Sequence, residues 1–372
     1  MVRRVCLVSG GTGGHLMPAM VLARALQARG HDPMLVTEGR AVEREMLARE
    51  LPDVSGVELP PAGRFKLGLP FWVLRATVVA RRMLRDRRVD CVVSTGGRPS
   101  VPVGLAARSL GLPLYLLEQN AVTGRANRWL LPLAERIYHG LPGKDSDSPR
   151  SVVTGTPLRP ELGTVSRAAA RESLGLRGDV PVVLVTGGSQ GARSLNEIVP
   201  QALLRLQRPL QVLHLAGIGR DDAVRRFYAA SDGKVVANVR PVALDMDRMF
   251  AAADLVICRG GGTTVAELCA VGRPALIVPY PHHRDRQQLR NAEVLAKAGA
   301  AVIVEEPALS KESVSELVQC LLADPARLAA MGQAARACQP NDATAAILRD
   351  MGIAFEVGWP RQGTRTRSEG AN

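Results

Sequence analysis

Residues 5–15 have the sequence VCLVSGGTGGH, an apolar run that leads directly into a glycine-rich loop, and residues 182–191, VVLVTGGSQG, repeat this design. Each apolar run is too short for anything but a buried strand, and a helical pattern follows each loop. Both units therefore predict a strand, a loop and a helix N-terminus in an α/β domain. Backbone amides freed by the glycines, together with the helix dipole, favour binding of a phosphate or another anion. Two such units predict two similar domains, and a cleft between them suits a substrate that contains a diphosphate.

Length and composition agree with two folded domains. The chain has 372 residues, of which 46% are hydrophobic and 22% charged, enough for two ordinary cores. The six cysteines stand singly, and Cys6, Cys91 and Cys258 lie in predicted strands, so we expect reduced, buried packing residues in a reducing cytoplasm. We expect no signal peptide, because the first strand starts at once, and no apolar segment is long enough to span a bilayer.

Positive charge is concentrated in the first part of the chain. The net charge is +13, and residues 1–150 alone carry 22 Lys and Arg against 13 Asp and Glu. Pro70 suits the first position of a helix over residues 71–86, with Phe71 and Trp72 at its entry and Arg75 followed by further arginines. This composition is typical of a segment on an anionic membrane surface, and the alternative is a half-buried helix with a solvated basic face. The chain has only 5 Phe and 3 Trp, and two of these eight residues are Phe71 and Trp72. Their presence at the entry of this basic helix favours the membrane interpretation. Nucleic acid is not expected as a partner, because no binding motif or stacking pattern is present.

Strands and helices are predicted to alternate along the chain. Strands are expected at Val5–Ser9, Pro33–Thr37, Cys91–Ser94, Leu114–Leu117, Val182–Thr186, Gln211–Leu215, Val235–Ala237, Leu255–Cys258, Ala275–Val278 and Ala301–Val304. Further helices are expected at 18–29, 41–50, 100–110, 191–206, 264–271 and 288–298. A surface loop is predicted at Gly143–Pro149, the interdomain crossover near Thr154–Pro160, and a loose end at Trp359–Asn372.

The first glycine loop does not match the common nucleotide-binding motifs. It is not a P-loop, because no Lys-Ser or Lys-Thr follows its glycines. Residues 11–16 lack the final glycine of GxGxxG, although Glu38 could mimic the acid that binds a ribose. His15 stands at the helix entry and could take a proton from a hydroxyl nucleophile, or it could only cap or pack.

The segment 258–267, CRGGGTTVAE, is followed at 279–291 by PYPHHRDRQQLRN. Three glycines after a strand let a phosphate approach the backbone, and Thr264 can cap the following helix and bond a phosphate oxygen. Glu267 completes a Thr-x-x-Glu capping box, or it accepts both hydroxyls of a ribose from one turn inside the helix. The local pattern alone favours the capping box.

Five motifs together resemble a known family. They are residues 10–15 (GGTGGH), 118–120 (EQN), 154–159 (TGTPLR), 187–193 (GGSQGAR) and 285–288 (DRQQ) with Asn291. In this order, over residues 5 to about 350, they resemble the MurG family within glycosyltransferase family 28. These enzymes transfer N-acetylglucosamine (GlcNAc) from UDP-GlcNAc to lipid I and so make lipid II for peptidoglycan.

The resemblance implies an α/β fold of the GT-B type, with two Rossmann-like domains facing across a cleft. Residues 1–157 would bind acceptor and membrane, residues 158–340 would bind UDP-GlcNAc, a C-terminal helix near 341–356 would pack back on the first domain, and 357–372 would be loose. It also implies an inverting displacement without metal or cofactor, on the cytoplasmic face of the membrane. Asp245-Met246-Asp247 resembles a metal-binding DxD motif, but we interpret these acids as helix-entry residues.

Site residues follow from the same resemblance. The implied donor contacts are Thr12, Gly13, Gly14, Asn120, Arg159, Ser189, Ala243, Gly262, Thr263, Thr264, Glu267, Gln287 and Gln288. Gly96, Gly97 and Arg98 form the implied acceptor loop, and Phe71, Trp72 and Arg75 the membrane-docking patch. His15 is the candidate base, with Glu118 in reserve. With the family in view, Glu267 is interpreted as the ribose ligand.

Four positions depart from the family pattern. Leu117 replaces a usual His, Arg98 a Tyr, Gly260 a Ser and Thr156 an Asn. Arg98 could instead pair with the acceptor diphosphate.

Two other function classes remain open. An NAD(P)-dependent oxidoreductase would use the first loop and Glu38 but leaves Gln287 and Gln288 unexplained. A UDP-sugar epimerase, or a transferase with another acceptor, explains almost every motif except the basic aromatic helix.

Overall fold

The computed structural model describes residues 2–10, 13–61, 69–188, 190–206, 208–231, 233–338 and 342–353. Within these ranges the chain forms two α/β domains, each built on a parallel sheet with helices on both faces. The predicted GT-B class is therefore confirmed.

The first domain holds a seven-stranded sheet. Its elements in chain order are β1 (Arg4–Val8), α1 (Gly13–Gln27), β2 (Asp32–Thr37), α2 (Ala41–Glu50), β3 (Ser55–Glu58), α3 (Leu69–Asp86), β4 (Cys91–Ser94), α4 (Ser100–Ser109), β5 (Leu114–Glu118), α5 (Arg125–Leu130), β6 (Arg136–His139) and β7 (Ser151–Val153). The strand order is β3-β2-β1-β4-β5-β6-β7, and all pairs are parallel. Every residue of β4 and β5 is buried, because helices cover both faces of the sheet.

The second domain holds a six-stranded sheet. Its elements are α6 (Arg167–Ser173), β8 (Val182–Thr186), α7 (Arg193–Leu204), β9 (Leu210–Leu215), α8 (Asp221–Ala229), β10 (Val235–Arg240), α9 (Met246–Ala252), β11 (Leu255–Cys258), α10 (Gly262–Val271), β12 (Ala275–Ile277), α11 (Gln287–Lys297), β13 (Ala301–Ile303), α12 (Lys311–Leu322) and α13 (Pro325–Ala337). A last helix, α14 (Ala343–Asp350), follows them in the chain. The order is β10-β9-β8-β11-β12-β13.

The strand orders put the glycine loops at equivalent points of the two sheets. In the first sheet β1 pairs with both β2 and β4, and in the second β8 pairs with both β9 and β11. The direction of the strand order reverses at these central strands, and a crevice opens outside their carboxyl ends. The glycine loops that follow β1, β4, β8 and β11 line these two crevices.

The last described helix belongs to the core of the first domain. In and just after α14, Ile347, Leu348 and Met351 are buried with residues of β1 and α1. Asp350 accepts hydrogen bonds from the Tyr138 hydroxyl at 2.9 Å and from the Arg136 guanidinium at 3.1 Å. The chain therefore crosses back to its first domain after completing the second. Residues 357–372, predicted to be loose, lie outside the described residues.

All ten predicted strands are present, with ends shifted by at most three residues. The predictions missed β3, β6 and β7, which lack the continuous apolar runs of the central strands. They also missed the short helices α5, α6 and α8 and the longer helices α12 and α13. The expectation that all cysteines are buried is wrong for Cys320, which is exposed at the end of α12, and for Cys338, which is partly exposed.

None of the helices in the described ranges is both long and apolar enough to cross a membrane.

Candidate active site in the interdomain cleft

The first two glycine loops of the N-terminal domain are packed against each other. The Gly10 amide donates to the Gly96 carbonyl at 3.1 Å. Gly97 has φ +92°, and a Cβ atom there would lie 2.3 Å from the Gly10 carbonyl oxygen. Only glycine permits both this conformation and this approach. The implied acceptor loop is thereby held beside the start of α1, where Gly13, Gly14 and His15 lie. Thr12 lies outside the described residues.

His15 is partly exposed at the N-terminus of α1. Its Nδ1 lies 3.1 Å from Oε1 of Gln119, a buried residue after β5. The Thr95 hydroxyl donates to the His15 backbone carbonyl at 2.9 Å. A Cβ atom on Gly96 would meet the His15 ring at 3.0 Å, so the loop and the ring are in close contact. The ring is held by side chains and backbone of the same domain.

Glu118 is buried and its carboxylate is fully engaged. Oε1 accepts from the backbone amide and the side-chain Nδ2 of Asn120, at 3.1 and 2.9 Å. Oε2 accepts from the Gly124 amide at 2.8 Å and from Asn127 Nδ2 at 3.0 Å. Four donors leave this carboxylate no free position for a substrate proton. The geometry therefore contradicts Glu118 as the reserve base and makes it the organiser of the 118–127 loop.

The domains touch directly at the N-terminus of α10. The Thr263 hydroxyl donates to the Gly14 carbonyl across the cleft at 3.0 Å. A Cβ atom on Gly262 would lie 2.5 Å from the Gln119 carbonyl oxygen, so this interdomain approach requires glycine. The N-termini of α1 and α10 thus lie at one place, where their unpaired amides and dipoles favour anions.

Arg159, an implied nucleotide contact, bridges the two domains. It forms an ion pair with Glu50 of α2 at 2.5 Å and donates to the Leu244 carbonyl at 3.3 Å. Its Nε is buried without a partner among the described residues. The contact with Leu244 places Arg159 beside the loop that contains Ala243, so two implied nucleotide contacts are brought together. Ser189, the third, lies outside the described residues.

Glu267 is not a capping residue. Helix α10 begins at Gly262 with Gly261 as its N-cap, and no side chain caps it. The alternative that Thr264 and Glu267 form a capping box is therefore wrong, and Thr264 lies inside the first turn. Among the described residues no group hydrogen-bonds the Glu267 carboxyl. Burial raises its pKa to about 7, and the nearby Arg159 guanidinium opposes this shift. Glu267 is partly exposed, so a carboxyl without a hydrogen-bond partner among the described residues is available to a polar ligand.

Helix α11 begins at the implied GlcNAc-reading residues. Gln287 Nε2 donates to the Val122 carbonyl of the first domain at 3.4 Å, and Gln288 Oε1 accepts from the Tyr280 amide at 3.0 Å. A Cβ atom on Gly260 would lie 2.3 Å from the Gln288 carbonyl oxygen. This close packing of α11 on the β11–α10 loop leaves no room for a side chain at position 260.

The other departures from the family pattern have different environments. Leu117 is fully buried in the core between the sheet and α1, so it offers the cleft no polar group. Arg98 is exposed and makes no ion pair or hydrogen bond with any described residue, which leaves it available to an anionic acceptor. Thr156 is buried, and its hydroxyl has no partner among the described residues.

The DxD-like acids lie at a helix entry, as interpreted from the sequence. Asp245 is the N-cap residue of α9 and Asp247 stands in its first turn. Asp245 pairs with Arg240 at 3.4 Å. No group of three or more His, Cys, Asp or Glu in the described part of the chain could hold a metal ion.

Glu38, the residue that the dinucleotide alternative requires, is paired within its own loop. Its Oε2 forms an ion pair with Arg40 at 2.6 Å.

A buried polar network supports the loop after β8. His214 Nδ1 lies 3.0 Å from the Tyr228 hydroxyl and Nε2 lies 3.1 Å from Asn196 Oδ1. Asn196, in the first turn of α7, donates to the Ala216 carbonyl at 2.8 Å. Burial lowers the pKa of His214 to about 3, so this ring stays neutral. It connects α7 to β9 beneath the second glycine loop.

The basic helix α3 presents an exposed apolar face. Phe71 is 72% exposed and Leu74 64%, and Arg75 is exposed beside them. The prediction that Trp72 belongs to this face is wrong, because Trp72 is only 8% exposed and its indole N–H donates to the Pro60 carbonyl at 2.8 Å. Trp72 therefore anchors α3 to the domain. Trp129 of α5, 77% exposed, is a large apolar residue that sequence analysis did not single out.

Two polar residues at the domain contact were also missed. Asn291 and Gln119 were recognised only as motif members, yet both are buried and bridge separate segments. Their membership of the motifs was the only sequence signal that they matter. Their partners could not be predicted, because these partners lie far away in the chain.

Known proteins resemble this chain over nearly its full length. Residues 5–139 match the glycosyltransferase family 28 N-terminal domain and residues 182–347 match the glycosyltransferase family 28 C-terminal domain. The UDP-N-acetylglucosamine--N-acetylmuramyl-(pentapeptide) pyrophosphoryl-undecaprenol N-acetylglucosamine transferase of Stutzerimonas stutzeri is 39% identical over 355 residues, covering 94% of this chain and 98% of that protein. The protein of the same name from Ectopseudomonas mendocina is 40% identical over 354 residues, 92% of this chain and 96% of that protein. The crystal structure of MurG from Acinetobacter baumannii has a TM-score of 0.78 at 32% identity, with 95% of this chain and 100% of that chain covered.

Proposed function

The chain belongs to glycosyltransferase family 28, and from this membership we propose that it transfers GlcNAc from UDP-GlcNAc to the 4-hydroxyl of N-acetylmuramic acid in lipid I. The product is lipid II, the precursor used for peptidoglycan, cell-wall growth and division. The observation that carries this proposal is 39% identity, over 94% of the chain, to a transferase named for this donor and acceptor. The resemblance to the MurG family is thereby confirmed.

The reaction is a single displacement at the anomeric carbon of GlcNAc. The acceptor 4-hydroxyl oxygen forms the new bond as the bond to the β-phosphate oxygen breaks, which inverts α to β. The hydroxyl proton passes to Nε2 of His15, and UDP leaves with the bonding electron pair. His15 supports this role because it stands at the start of α1, next to the domain contact between Gly14 and Thr263.

Backbone amides stabilise the charge that develops on UDP. Helix α10 begins in the cleft with a glycine N-cap and no side-chain cap, so its first amides remain available to the diphosphate. Helix α7 follows the second glycine loop in the same way. The donor's ribose hydroxyls donate hydrogen bonds to the Glu267 carboxylate, and Arg159 lies beside the nucleotide. This electrostatic design makes the transfer independent of a divalent metal.

The acceptor is reached from the cytoplasmic face of the membrane. The apolar face of α3, with Phe71 and Leu74 at its centre, is flanked by the exposed arginines Arg75, Arg81 and Arg82. Apolar residues enter the headgroup boundary while arginines bind anionic lipids. This combination supports peripheral docking on an anionic surface, where a lipid-linked acceptor lies.

The test is transfer of labelled GlcNAc from UDP-GlcNAc to a lipid I analogue, with and without EDTA. Transfer of β-linked GlcNAc at the same rate in EDTA supports the reaction, the inversion and the metal independence. Loss of transfer in EDTA would overturn only the metal independence. Conversion of UDP-GlcNAc without glycosylation of the acceptor would instead favour the epimerase class.

A further inference from the structure

One ring nitrogen of His15 has a protein partner, and that partner's orientation is determined by its own surroundings. Gln119 extends its amide between the His15 ring and the Thr95 backbone carbonyl. Its Nε2 donates to the Thr95 oxygen at 3.1 Å, and its Oε1 lies 3.1 Å from His15 Nδ1.

A backbone carbonyl oxygen can only accept a hydrogen bond, so the amide nitrogen of Gln119 must face Thr95. The amide oxygen then necessarily faces His15. Because this oxygen can only accept, Nδ1 must carry a hydrogen. In the neutral imidazole the second nitrogen, Nε2, is then unprotonated and holds the lone pair.

We propose that Gln119 is a positioning residue that selects the Nδ1–H tautomer of His15 and leaves Nε2 as the proton acceptor. The inference rests on the proposed role of His15 as the base. In the other tautomer Nε2 carries a hydrogen and cannot accept the proton of the acceptor hydroxyl.

Packing around Gln119 keeps its amide in this orientation. Gln119 is 2% exposed, so water does not compete for the hydrogen bonds of its side chain. Thr95 also holds His15 from a second direction, through its hydroxyl and the His15 carbonyl. The backbone of Gln119 lies against Gly262 of the second domain, where a Cβ atom would come within 2.5 Å of its carbonyl oxygen. The residue that orients the base therefore also forms part of the domain contact at the α10 N-terminus.

Nitrogen NMR of the full-length protein tests the tautomer directly. The protein is labelled with ¹⁵N-histidine, and among the 6 histidines the His15 signals are assigned by their loss in His15→Gln. At a pH where the ring is neutral, we expect the hydrogen on Nδ1. A ring with its hydrogen on Nε2 would overturn the proposal, and this measurement needs no Gln119 variant to fold.

The matched variant is Gln119→Met, which keeps the length of the side chain and removes the amide. We expect Nε2–H to become populated, kcat to fall roughly 10- to 100-fold, and KM for UDP-GlcNAc to stay within about twofold. Gln201→Met is the control, because the Gln201 amide donates to a carbonyl of its own helix at the surface. An unchanged tautomer in folded Gln119→Met would contradict the inference.

The two hypotheses can fail separately. If the tautomer depends on Gln119 but His15→Ala retains turnover, the base role fails and tautomer selection stands. If His15→Ala abolishes turnover while the parent ring carries its hydrogen on Nε2, tautomer selection fails, and the route of the proton through Nε2 fails with it.

Discussion

Nδ2 of Asn291, in the second domain, donates to Oδ1 of Asn120, in the first, at 3.0 Å. The same Nδ2 donates to the Gly260 carbonyl at 2.9 Å, and Asn291 Oδ1 accepts from the Ala121 amide at 2.8 Å. Asn291 is completely buried. One side chain therefore joins helix α11, the β11–α10 loop and the loop organised by Glu118. Implied donor contacts lie on two of these segments, Asn120 on the loop and Gln287 and Gln288 on α11.

Asn291→Ala should destabilise the protein. The substitution leaves the partly buried Ala121 amide and the buried Gly260 carbonyl without this partner, at a cost of about 1–3 kcal/mol. Thermal unfolding with and without UDP-GlcNAc measures the effect. Asn238→Ala, on β10, is the control, because the Asn238 side chain accepts only from Arg240 among the described residues. Equal unfolding temperatures for Asn291→Ala and the parent would refute the bridging role.

Donor binding should depend on the ionisation of Glu267. Its pKa is raised to about 7 by burial, and the carboxylate that accepts two ribose hydroxyls is the ionised form. KM for UDP-GlcNAc should therefore rise as pH falls below about 7, approaching roughly tenfold per pH unit. Steady-state kinetics between pH 8 and pH 6 measure this rise. Glu267→Gln should raise KM at pH 8 and flatten the profile, and an equally steep profile in the variant would assign the titration to another group.

The same carboxyl should reduce stability at high pH. Its folded pKa of about 7 lies above the ordinary value of 4.5, so the folded state retains the proton longer than the unfolded state. The stabilising contribution is complete below pH 4.5 and is lost as pH rises through about 7. In the absence of donor, Glu267→Gln should thus unfold at a higher temperature than the parent at pH 8, with a smaller difference at pH 5. A variant less stable than the parent at pH 8 would show that the charged carboxyl has a stabilising partner.

His15→Ala should lower kcat by about 10²- to 10⁴-fold and leave KM for UDP-GlcNAc nearly unchanged, because the ring is needed for proton transfer rather than donor binding. Initial rates with a lipid I analogue separate the two constants. His31→Ala provides a control at another partly buried histidine of the first domain. Retained kcat would remove His15 as the base, and Glu118 could not replace it without breaking its four hydrogen bonds.

Gly260→Ala should weaken donor binding. The new Cβ atom would lie 2.3 Å from the Gln288 carbonyl oxygen and displace the first turn of α11. Overpacking of this kind costs about 1–3 kcal/mol, and we expect it mainly as a higher KM for UDP-GlcNAc. Gly178→Ala is the matched control, because a Cβ atom there meets nothing within 4 Å. An unchanged KM would mean that α11 can shift without affecting the donor.

Replacing Phe71 and Leu74 together with Ser should release the protein from anionic vesicles. Both side chains are mostly exposed, so the change should leave activity on a water-soluble acceptor intact. Vesicle co-sedimentation measures binding, and Val236→Ser on the exposed edge strand β10 is the control. Equal binding by the double variant and the parent would show that α3 does not dock. Trp72 is unsuitable for this test, because its burial would confound binding with folding.

Sequence analysis predicted the central strands well because their signal is local. A parallel strand covered on both faces must be a short apolar run, and β4, β8 and β11 have the predicted limits. The edge strand β3 is largely exposed, so no apolar pattern marked it. Helix α3 was also predicted from its sequence pattern. The pattern did not distinguish the exposed Phe71 from Trp72, which packs against the domain.

The residues of this chain, by themselves, determined two glycine-loop domains, the family and the set of motif residues, because strand periodicity and glycine spacing are properties of neighbouring positions. Only the tertiary structure decided what each polar side chain does. It enclosed Glu118 with four donors, left Glu267 without a hydrogen-bond partner in the described part of the chain, and set Gln119 between Thr95 and His15. Hydrogen-bond partners more than a hundred positions apart, such as His15 and Gln119, meet only when the sheets and domains are packed. The choice between base, cap and structural ligand therefore depends on the folded contacts.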